Sequence, residues 1–223
     1  MELAVYNSSE IQKRIPGLKL GICYGQQAQV KKECPEFDAY FKELENYLKA
    51  NFTDAPLSSN PIVGHVRRMY RKIGWEPTRY RPSSEALARR ILQNKGLYRI
   101  YNLVDLGNLT SARFHLPMGL YDADKIKGDI WLDVGKQGES YTGISGQEIH
   151  AQGKLILRDE QGIFGNPTAD SGRTALSPNT KNVLAIFFTP PEVTYDYLDR
   201  TLQQLRQYFA PYVQNLEKEI ISF

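Results

Sequence analysis

The sequence has few of the side chains that bind metal ions or cross-link a chain. Two cysteines, Cys23 and Cys34, are too few for a disulfide framework or a zinc site, so we expect two small thiols that are buried or half-buried. The three histidines are scattered along the chain and share no motif. We therefore expect neither a metal ion nor a cofactor.

Several common catalytic motifs are also missing. The sequence contains no HExxH, no P-loop, no GxGxxG after a strand and no GxSxG elbow. These absences argue against zinc proteases, NTPases, dinucleotide-dependent oxidoreductases and α/β-hydrolases.

Long apolar runs are absent as well. No run approaches the roughly 18 apolar residues that indicate a membrane span. The first ten residues lack the basic segment followed by an apolar one that is typical of a signal peptide. A hydrophobic content of 41% and a mean hydropathy of -0.46 fit a globular protein with a real core. We expect a cytoplasmic protein with no membrane partner.

The net charge of +3 is too small to predict nucleic-acid binding by itself, but the basic residues are unevenly distributed. Residues 67–99 contain many Lys and Arg and only two acidic residues, Glu76 and Glu85. Such a stretch could neutralise phosphates. A solvated helix face is the alternative.

The spacing of apolar residues predicts helices first and strands later. Residues 18–30 alternate as a strand does, and helical patterns follow in residues 36–52, after Asn60 and Pro61, after Pro82 and Ser83, and around residue 103. Asn60 and Ser83 are candidate helix caps. Between residues 128 and 190 the segments DIWLDV, KLILRD, GIFG and NVLAIFF predict strands separated by polar turns.

Residues 194–223 repeat apolar side chains every three or four positions, which predicts a long amphipathic helix. Packing on the sheet is the expected role of this helix, and binding a partner is the alternative. The predicted class is α+β, with helices packed on a mainly antiparallel sheet. We expect an N-terminal extension over residues 1–60, a main domain over 61–190, and a C-terminal helix of the same domain over 191–223.

Four segments in the middle of the chain carry a family resemblance. They are RYRPSSEALARRIL, IYNLVDLGNLTSARFHLPMGLYDADKI, KGDIWLDVGKQGES, and RDEQGIFG followed by TADSGRTALSPNTKNVLAIFF. In their order and spacing, residues 62–188 resemble the tRNA-editing module formed by the third and fourth domains of the phenylalanyl-tRNA synthetase beta subunit. They resemble still more the free-standing proteins that carry this module alone. The V-D-x-x-N, P-M-x-x-x-D and G-E patterns of that module match residues 104–108, 117–122 and 138–139.

This resemblance implies an aminoacyl-tRNA deacylase that acts in trans on mischarged tRNA, with the aminoacylated acceptor end as its partner. An aminoacyl ester is already activated, so the site need only position water and stabilise the oxyanion. Neither a serine triad nor a metal ion is required for that reaction. A non-catalytic module that binds RNA or an amino-acid-like ligand is the alternative.

The sequence departs from the resembled pattern at two places. The synthetase motif has a histidine after Pro-Met, where this chain has Gly119. A glutamate that reads the substrate hydroxyl in the synthetase should fall near residues 184–186, where the predicted strand is apolar. The resemblance therefore does not imply specificity for tyrosine.

The loop TADSGRT carries the strongest set of polar groups, and Asp170, Ser171 and Thr174 are the candidate catalytic residues. Asp170 could bind the α-ammonium of an aminoacyl group, and backbone N–H groups near Ser171 and Gly172 could face an oxyanion. Arg173 could bind a terminal phosphate. The alternative is an ordinary polar turn with an Asx-type hydrogen bond.

Other candidate substrate-binding residues lie near the matched motifs. Asn108, Thr110 and Ser111 follow the V-D pair and could line the same cleft, while Glu139 belongs to the G-E turn. Helix-end hydrogen bonds are the alternative for the first three, and a solvent-facing turn is the alternative for the glutamate.

Candidate RNA-binding residues come from the basic stretch. Four arginines could contact the acceptor-stem backbone and one tyrosine could stack on an unpaired base, namely Arg79, Arg81, Arg89, Arg90 and Tyr80. The alternative is that Arg81 and Glu85 form a surface ion pair of little energetic weight. We expect residues 79–81, 108–111 and 168–174 to converge on one cleft.

Overall fold

Two four-stranded sheets organise the protein, and the computed structural model describes them over residues 4–223. Within that range ten strands, β1 to β10, run in chain order over Val5–Asn7, Lys19–Gln26, Met118–Asp122, Ile130–Val134, Ser140–Thr142, Glu148–His150, Leu155–Asp159, Gly162–Gly165, Val183–Thr189 and Gln214–Ser222. The α-helices in the same range, α1 to α6, are Ser9–Arg14, Phe37–Phe52, Pro61–Lys72, Ser83–Leu92, Asn102–Phe114 and Tyr195–Phe209.

Hydrogen bonding between neighbouring strands is mainly antiparallel. One sheet has the order β10-β2-β9-β3, and all its pairs are antiparallel. The other has the order β1-β4-β7-β8, and only β1 and β4 pair in parallel. β5 and β6 form a separate hairpin. The α+β class and the mainly antiparallel sheet are confirmed.

The predicted N-terminal extension contributes to both sheets. β1 pairs with β4, and β2 lies between β9 and β10. The domain boundaries at residues 60 and 190 stay predictions. The two thiols expected to be buried are both buried and free.

Local capping explains the start of α3 but corrects the start of α4. The Asn60 side chain accepts hydrogen bonds from the amides of Ile62 and Val63, and Pro61 occupies the first turn, as predicted. Ser83 makes no cap: its hydroxyl donates instead to the Pro167 carbonyl at 3.0 Å. This bond fixes α4 to the segment that precedes the TADSGRT loop.

The predicted C-terminal helix exists but is shorter than expected. α6 ends at Phe209, and after a turn the chain returns as β10, an edge strand paired with β2. The prediction of helix through residue 223 was wrong because Leu216 and Ile220 lie four residues apart, a spacing that suits both a helix face and alternate positions of a strand. α6 approaches β2 closely at Gly21, where a Cβ would lie 2.6 Å from Leu198.

Helix α5 positions the candidate site by packing against β3. The contact is close at Gly107, since a Cβ there would lie 2.5 Å from the terminal methyl of Met118. Separately, none of the helices in residues 4–223 is both long enough and apolar enough to cross a membrane.

Candidate functional site

A small pocket opens where α5, β3 and the residues after β8 meet. Its volume is about 160 Å³, and its walls are mostly apolar; the lining residues are Ile100, Tyr101, Val104, Asn108, Met118, Leu120, Ile144, Asp170, Ala175 and Leu176. Asp170 is the single carboxylate among these lining residues. Asn108 and Asp170 therefore face one cavity, although they are 62 positions apart in the sequence.

A second, larger cavity of about 260 Å³ lies between the two sheets. It is lined by apolar residues of β1, β2, β4 and β9 and by the charged residues 217–219 of β10. None of its lining residues belongs to the TADSGRT loop or to the V-D-x-x-N and P-M-x-x-x-D motifs. The candidate residues of the loop and motifs therefore indicate the smaller pocket as the candidate site.

The Asp170 carboxyl is half-buried and has few partners. Its Oδ1 accepts a hydrogen bond from the Tyr121 hydroxyl at 2.8 Å, and its Oδ2 accepts a long one from the Leu120 amide at 3.4 Å. Burial raises the pKa of Asp170 to about 7, and the two hydrogen bonds only partly oppose that effect. Across residues 4–223, no lysine, arginine or histidine forms an ion pair with this carboxyl. Asp170 is thus poised between its neutral and charged forms near neutral pH.

Tyr121 is a site residue that the sequence reasoning missed. It is completely buried, and burial followed by the nearby Asp170 charge keeps its pKa well above the ordinary value, so its hydroxyl stays a donor. A Cβ at Gly119 would overlap that hydroxyl and lie 2.9 Å from Asp170 Oδ1. The histidine of the resembled motif therefore has no room here. Strand alternation was the available signal, because residues two apart on β3 share a face.

Asn108 is the second polar side chain of the loop-and-motif set that reaches the pocket. It lies half-buried on α5, and its amide forms no hydrogen bond to any residue between 4 and 223. The amide is therefore free to bind a ligand.

Thr110 and Ser111 do not line the pocket, which corrects that expectation. Both are buried, and their hydroxyls donate to the carbonyls of Leu106 at 3.1 Å and Leu116 at 2.7 Å. Thr110, two positions after Asn108, points to the opposite side of α5. Ser111 lies near the C-terminal end of α5, and its hydroxyl bonds the Leu116 carbonyl just beyond that end.

Arg173 is not available to a phosphate, because Asp159 occupies its guanidinium. Nη2 bonds Oδ1 of Asp159 at 2.8 Å, and Nη1 bonds Oδ2 at 3.0 Å. Nη1 also donates to the Lys125 carbonyl at 2.9 Å. The ion pair ties the loop to β7, and the substrate contact of Arg173 stays a prediction.

Ser171 and Thr174 are likewise bonded inside the fold, and their catalytic roles stay predictions. The Ser171 hydroxyl donates to the Thr142 carbonyl at 3.2 Å, and its amide donates to the Phe164 carbonyl at 2.9 Å. The buried Thr174 hydroxyl donates to the same Phe164 carbonyl at 3.3 Å. Neither the Ser171 amide nor these hydroxyls can face an oxyanion in the pocket.

Glu139 is also engaged away from the pocket. It accepts two hydrogen bonds from Arg158, at 2.8 and 3.0 Å, and one from the Lys136 amide at 2.7 Å. Its bond to Arg158 is the largest cause that lowers the pKa of Glu139. The structure thus shows a structural pair at Glu139, and a substrate contact there stays a prediction.

The first part of the basic stretch is balanced by buried acid. Glu85 accepts two hydrogen bonds from Arg67, at 2.6 and 2.9 Å, and lies 3.5 Å from Arg81. The Arg79 guanidinium lies over the ring of Tyr80. Residues 79–81 do not line the pocket, so the expected convergence holds for Asn108 and Asp170 but not for this segment.

The end of α4 differs, because its arginines have no acidic partner among residues 4–223. Arg89 is exposed, and the Arg90 guanidinium lies 4.0 Å from the ring centre of Tyr98, which is 68% exposed. Tyr98 stands two residues before Ile100, which lines the pocket. Arg89, Arg90 and Tyr98 are therefore a cationic and aromatic group that a short stretch of chain connects to the pocket.

Comparison with known proteins gives a consistent set of relatives. The model of the B3/4 domain family matches residues 65–202. The phenylalanine–tRNA ligase beta subunit of Fusobacterium nucleatum subsp. nucleatum is 28% identical over 168 residues, which is 71% of this chain and 21% of that protein. The same subunit of Rickettsia conorii is 43% identical over 110 residues, 38% of this chain and 13% of that protein.

The chain spans about a fifth or less of the length of these curated relatives. Among solved structures, an N-terminal fragment of the phenylalanyl-tRNA synthetase beta-subunit from Pyrococcus horikoshii matches 99% of this chain and 50% of that chain. The two are 14% identical, with a TM-score of 0.47.

Proposed function

The chain belongs to the B3/4 domain family, and we propose that it binds the aminoacylated end of tRNA in the cytoplasm and hydrolyses the ester of mischarged tRNA in trans. Its relatives are phenylalanine–tRNA ligase beta subunits, whose name links an amino acid to tRNA. One observation carries the proposal: Asp170 lies in a small apolar pocket without a cationic partner in residues 4–223.

A carboxylate in apolar surroundings is costly unless a cation or several donors compensate it. Asp170 has one short hydrogen bond and one long one. An aminoacyl ester carries an α-ammonium, which supplies the missing positive charge. Asp170 would therefore bind the amino group of the ligand, and the charge on the ligand would favour the ionised carboxylate.

Asn108 supplies the polar group that the reaction needs at the ester. Its free amide can donate to the carbonyl oxygen as negative charge develops there. Water then adds to the carbonyl carbon, and the bond from that carbon to the ribose oxygen breaks. The ribose oxygen takes up a proton, and the products are the free amino acid and tRNA with its hydroxyl restored.

The size and walls of the pocket limit the ligand. Its volume of about 160 Å³ lies below the 300–1,000 Å³ typical of drug-sized ligands, so it suits a fragment such as one aminoacyl group. The apolar residues Val104, Met118, Leu120 and Leu176 favour an uncharged side chain. The surface of Arg89, Arg90 and Tyr98 would receive the phosphates and an unpaired base of the tRNA end.

A binding module without hydrolysis is the second candidate, and the internal contacts of the TADSGRT loop favour it. Ser171, Arg173 and Thr174 are all bonded inside the fold. Asp170 and Asn108 are the remaining polar groups of the predicted set at the pocket. Such a site can hold an aminoacyl group whether or not it activates water.

The decisive experiment incubates the protein with a panel of correctly and wrongly charged tRNAs and follows loss of the ester. Accelerated loss for wrongly charged tRNA supports the deacylase, provided that Asp170→Asn abolishes it. Asp196→Asn is the matched control, since that carboxylate is exposed on α6. If no ester is lost but charged tRNA binds more tightly than uncharged tRNA, the binding module replaces the enzyme.

A further inference from the structure

We infer that Tyr121 is a positioning residue of this pocket, whose hydroxyl holds one oxygen of Asp170 and leaves the other for a ligand amino group. The inference rests on the proposed function, in which Asp170 binds the α-ammonium. It adds a residue that neither the motifs nor the family match single out.

The geometry separates the two carboxylate oxygens. Oδ1 accepts the Tyr121 hydroxyl at 2.8 Å, which is a normal distance for a well-formed O–H···O hydrogen bond. Among residues 4–223, Oδ2 accepts only the Leu120 amide, at 3.4 Å, which is long for such a bond. A ligand cation therefore finds one oxygen already fixed and the other still able to accept strong hydrogen bonds.

The ring of Tyr121 gives the hydroxyl a rigid support. It is completely buried and packs edge-on against Phe164, with ring centres 4.9 Å apart and an interplanar angle of 86°. A buried aromatic ring between packed neighbours has one available orientation. The hydroxyl thus stays at one place relative to Asp170.

Two glycines keep open the space that the pair occupies. A Cβ at Gly119 on β3 would overlap the Tyr121 hydroxyl and lie 2.9 Å from Asp170 Oδ1. A Cβ at Gly165 on β8 would also overlap the hydroxyl and lie 2.8 Å from the same oxygen. Any side chain at either position would separate Tyr121 from Asp170.

The backbone before Asp170 is held by a different set of bonds. The Asn166 side chain accepts from the amides of Thr168 and Ala169, at 2.7 and 2.9 Å, and Tyr141 donates to the Ala169 carbonyl at 2.6 Å. These bonds fix the main chain but do not touch the carboxyl. Tyr121 is therefore the side chain that acts on the carboxyl itself.

Tyr121 also influences the charge of Asp170. The titratable groups that face this carboxyl are Tyr121 from β3 and Tyr141 from β5. Burial raises the pKa of Asp170, and the Tyr121 hydrogen bond is the largest effect that lowers it. Removing the hydroxyl should leave a carboxyl that is neutral at pH 7 and no longer attracts a cation.

The test replaces Tyr121 by Phe, which keeps the ring and removes the hydroxyl. Carbon-13 NMR of the aspartate carboxyls, with Asp170 assigned from the Asp170→Asn spectrum, gives its titration midpoint. We expect a midpoint of about 7 in the wild type. In Tyr121→Phe it should rise by roughly one to two pH units, the effect of losing one hydrogen bond to a charge. Deacylation at pH 7 should fall roughly five- to fiftyfold with the ionised fraction.

Tyr197→Phe is the matched control, because that hydroxyl donates to the Phe114 carbonyl at 3.0 Å, away from Asp170. It should leave the Asp170 midpoint unchanged. Gly119→Ala is the second test, since its methyl displaces the Tyr121 hydroxyl while both residues remain. The folded variant should show the same upward shift as Tyr121→Phe.

The inference is overturned if folded Tyr121→Phe titrates Asp170 at the wild-type midpoint. That result would leave any hydrolysis by the wild type untouched. The midpoint could instead shift in Tyr121→Phe while the wild type hydrolyses no charged tRNA. That result would overturn the proposed enzymatic activity, but it would support Tyr121 as the residue that positions the Asp170 carboxyl and sets its pKa.

Discussion

Two aspartates eleven positions apart, Asp159 and Asp170, show opposite ways of placing a carboxyl inside this fold. Asp159 is buried and accepts both ends of the Arg173 guanidinium, together with the amides of Lys127 and Gln161 at 2.8 and 2.9 Å. Asp170 is half-buried among apolar side chains and accepts one hydroxyl and one distant amide. No cation among residues 4–223 pairs with it.

This difference in partners indicates different roles for the two aspartates. The partners of Asp159 satisfy nearly all of its acceptor capacity, so its role is to hold β7 and the TADSGRT loop together. Asp170 retains acceptor capacity and faces a cavity, and we propose that its charge is available to a ligand. On this proposal, the loop that looked like one polar site in the sequence divides into a structural half and a binding half.

The largest expected effect is a loss of stability when the Arg173–Asp159 ion pair is removed. Arg173→Ala leaves Asp159 buried without its cation and should lower the free energy of unfolding by about 3–5 kcal/mol. Urea unfolding measures this change, and Arg200→Ala is the control, because its partner Asp196 is exposed and the change should stay within about 0.5 kcal/mol. Equal stability of the two variants would contradict the structural role assigned to Asp159.

Asp170→Asn should instead lower activity and leave stability intact. The substitution keeps the size of the side chain and removes a poorly compensated charge, so stability at pH 7 should not fall. Binding or deacylation of aminoacyl-tRNA should drop about ten- to a hundredfold, the effect of losing a charge-assisted contact of about 1.5–3 kcal/mol. A variant that loses stability but keeps its activity per folded molecule would assign Asp170 to the structural half.

The pH dependence sharpens the same contrast. Burial raises the pKa of Asp170 from 3.8 to about 7, so the folded state favours the protonated carboxyl. Its contribution to stability is fully present below about pH 4 and is lost as pH rises through 7. Asp170→Asn removes this loss, so unfolding experiments from pH 4 to 8 should show the variant gaining stability relative to the wild type. Parallel curves would contradict the raised pKa.

The smallest expected effect is a change in the salt dependence of tRNA binding, which depends on whether an arginine is paired. Arg67 is paired with Glu85, whereas Arg89 and Arg90 have no acidic partner in residues 4–223. Arg89→Ala with Arg90→Ala should reduce the salt dependence of tRNA binding, by about two units in the slope of log K against log salt. Arg67→Ala should lower stability and leave that slope unchanged. Equal slopes for all variants would exclude the end of α4 as an RNA surface.

Local sequence patterns predicted most helices and strands because capping and the spacing of apolar residues largely determine where they form. Asn60 and Pro61 start α3 through a local cap, and the apolar run of β9 suits a strand that is buried on both faces. The end of α6 was missed because a spacing of four residues fits two structures. Pairing of β10 with β2, more than 180 positions away, decides between them.

The site was only partly predictable for a similar reason. The motifs indicated Asn108 and Asp170, and both lie at the pocket. No local pattern shows that Arg173 is paired with Asp159 on another strand, or that Glu139 is paired with Arg158. Strand alternation puts Tyr121 on the same face of β3 as Gly119, but its role also depends on the space left by Gly165 on β8, which only the packed sheets reveal.

The central claim is that Asp170 binds the free amino group of an aminoacyl ester. Single-turnover hydrolysis of one mischarged tRNA, compared with the same tRNA carrying an N-acetylated amino acid, tests this claim most directly. The wild type should prefer the free amine by about ten- to a hundredfold, and Asp170→Asn should lose that preference without a fall in its melting temperature. Equal hydrolysis of both esters by the wild type, or an unchanged preference in Asp170→Asn, would contradict it.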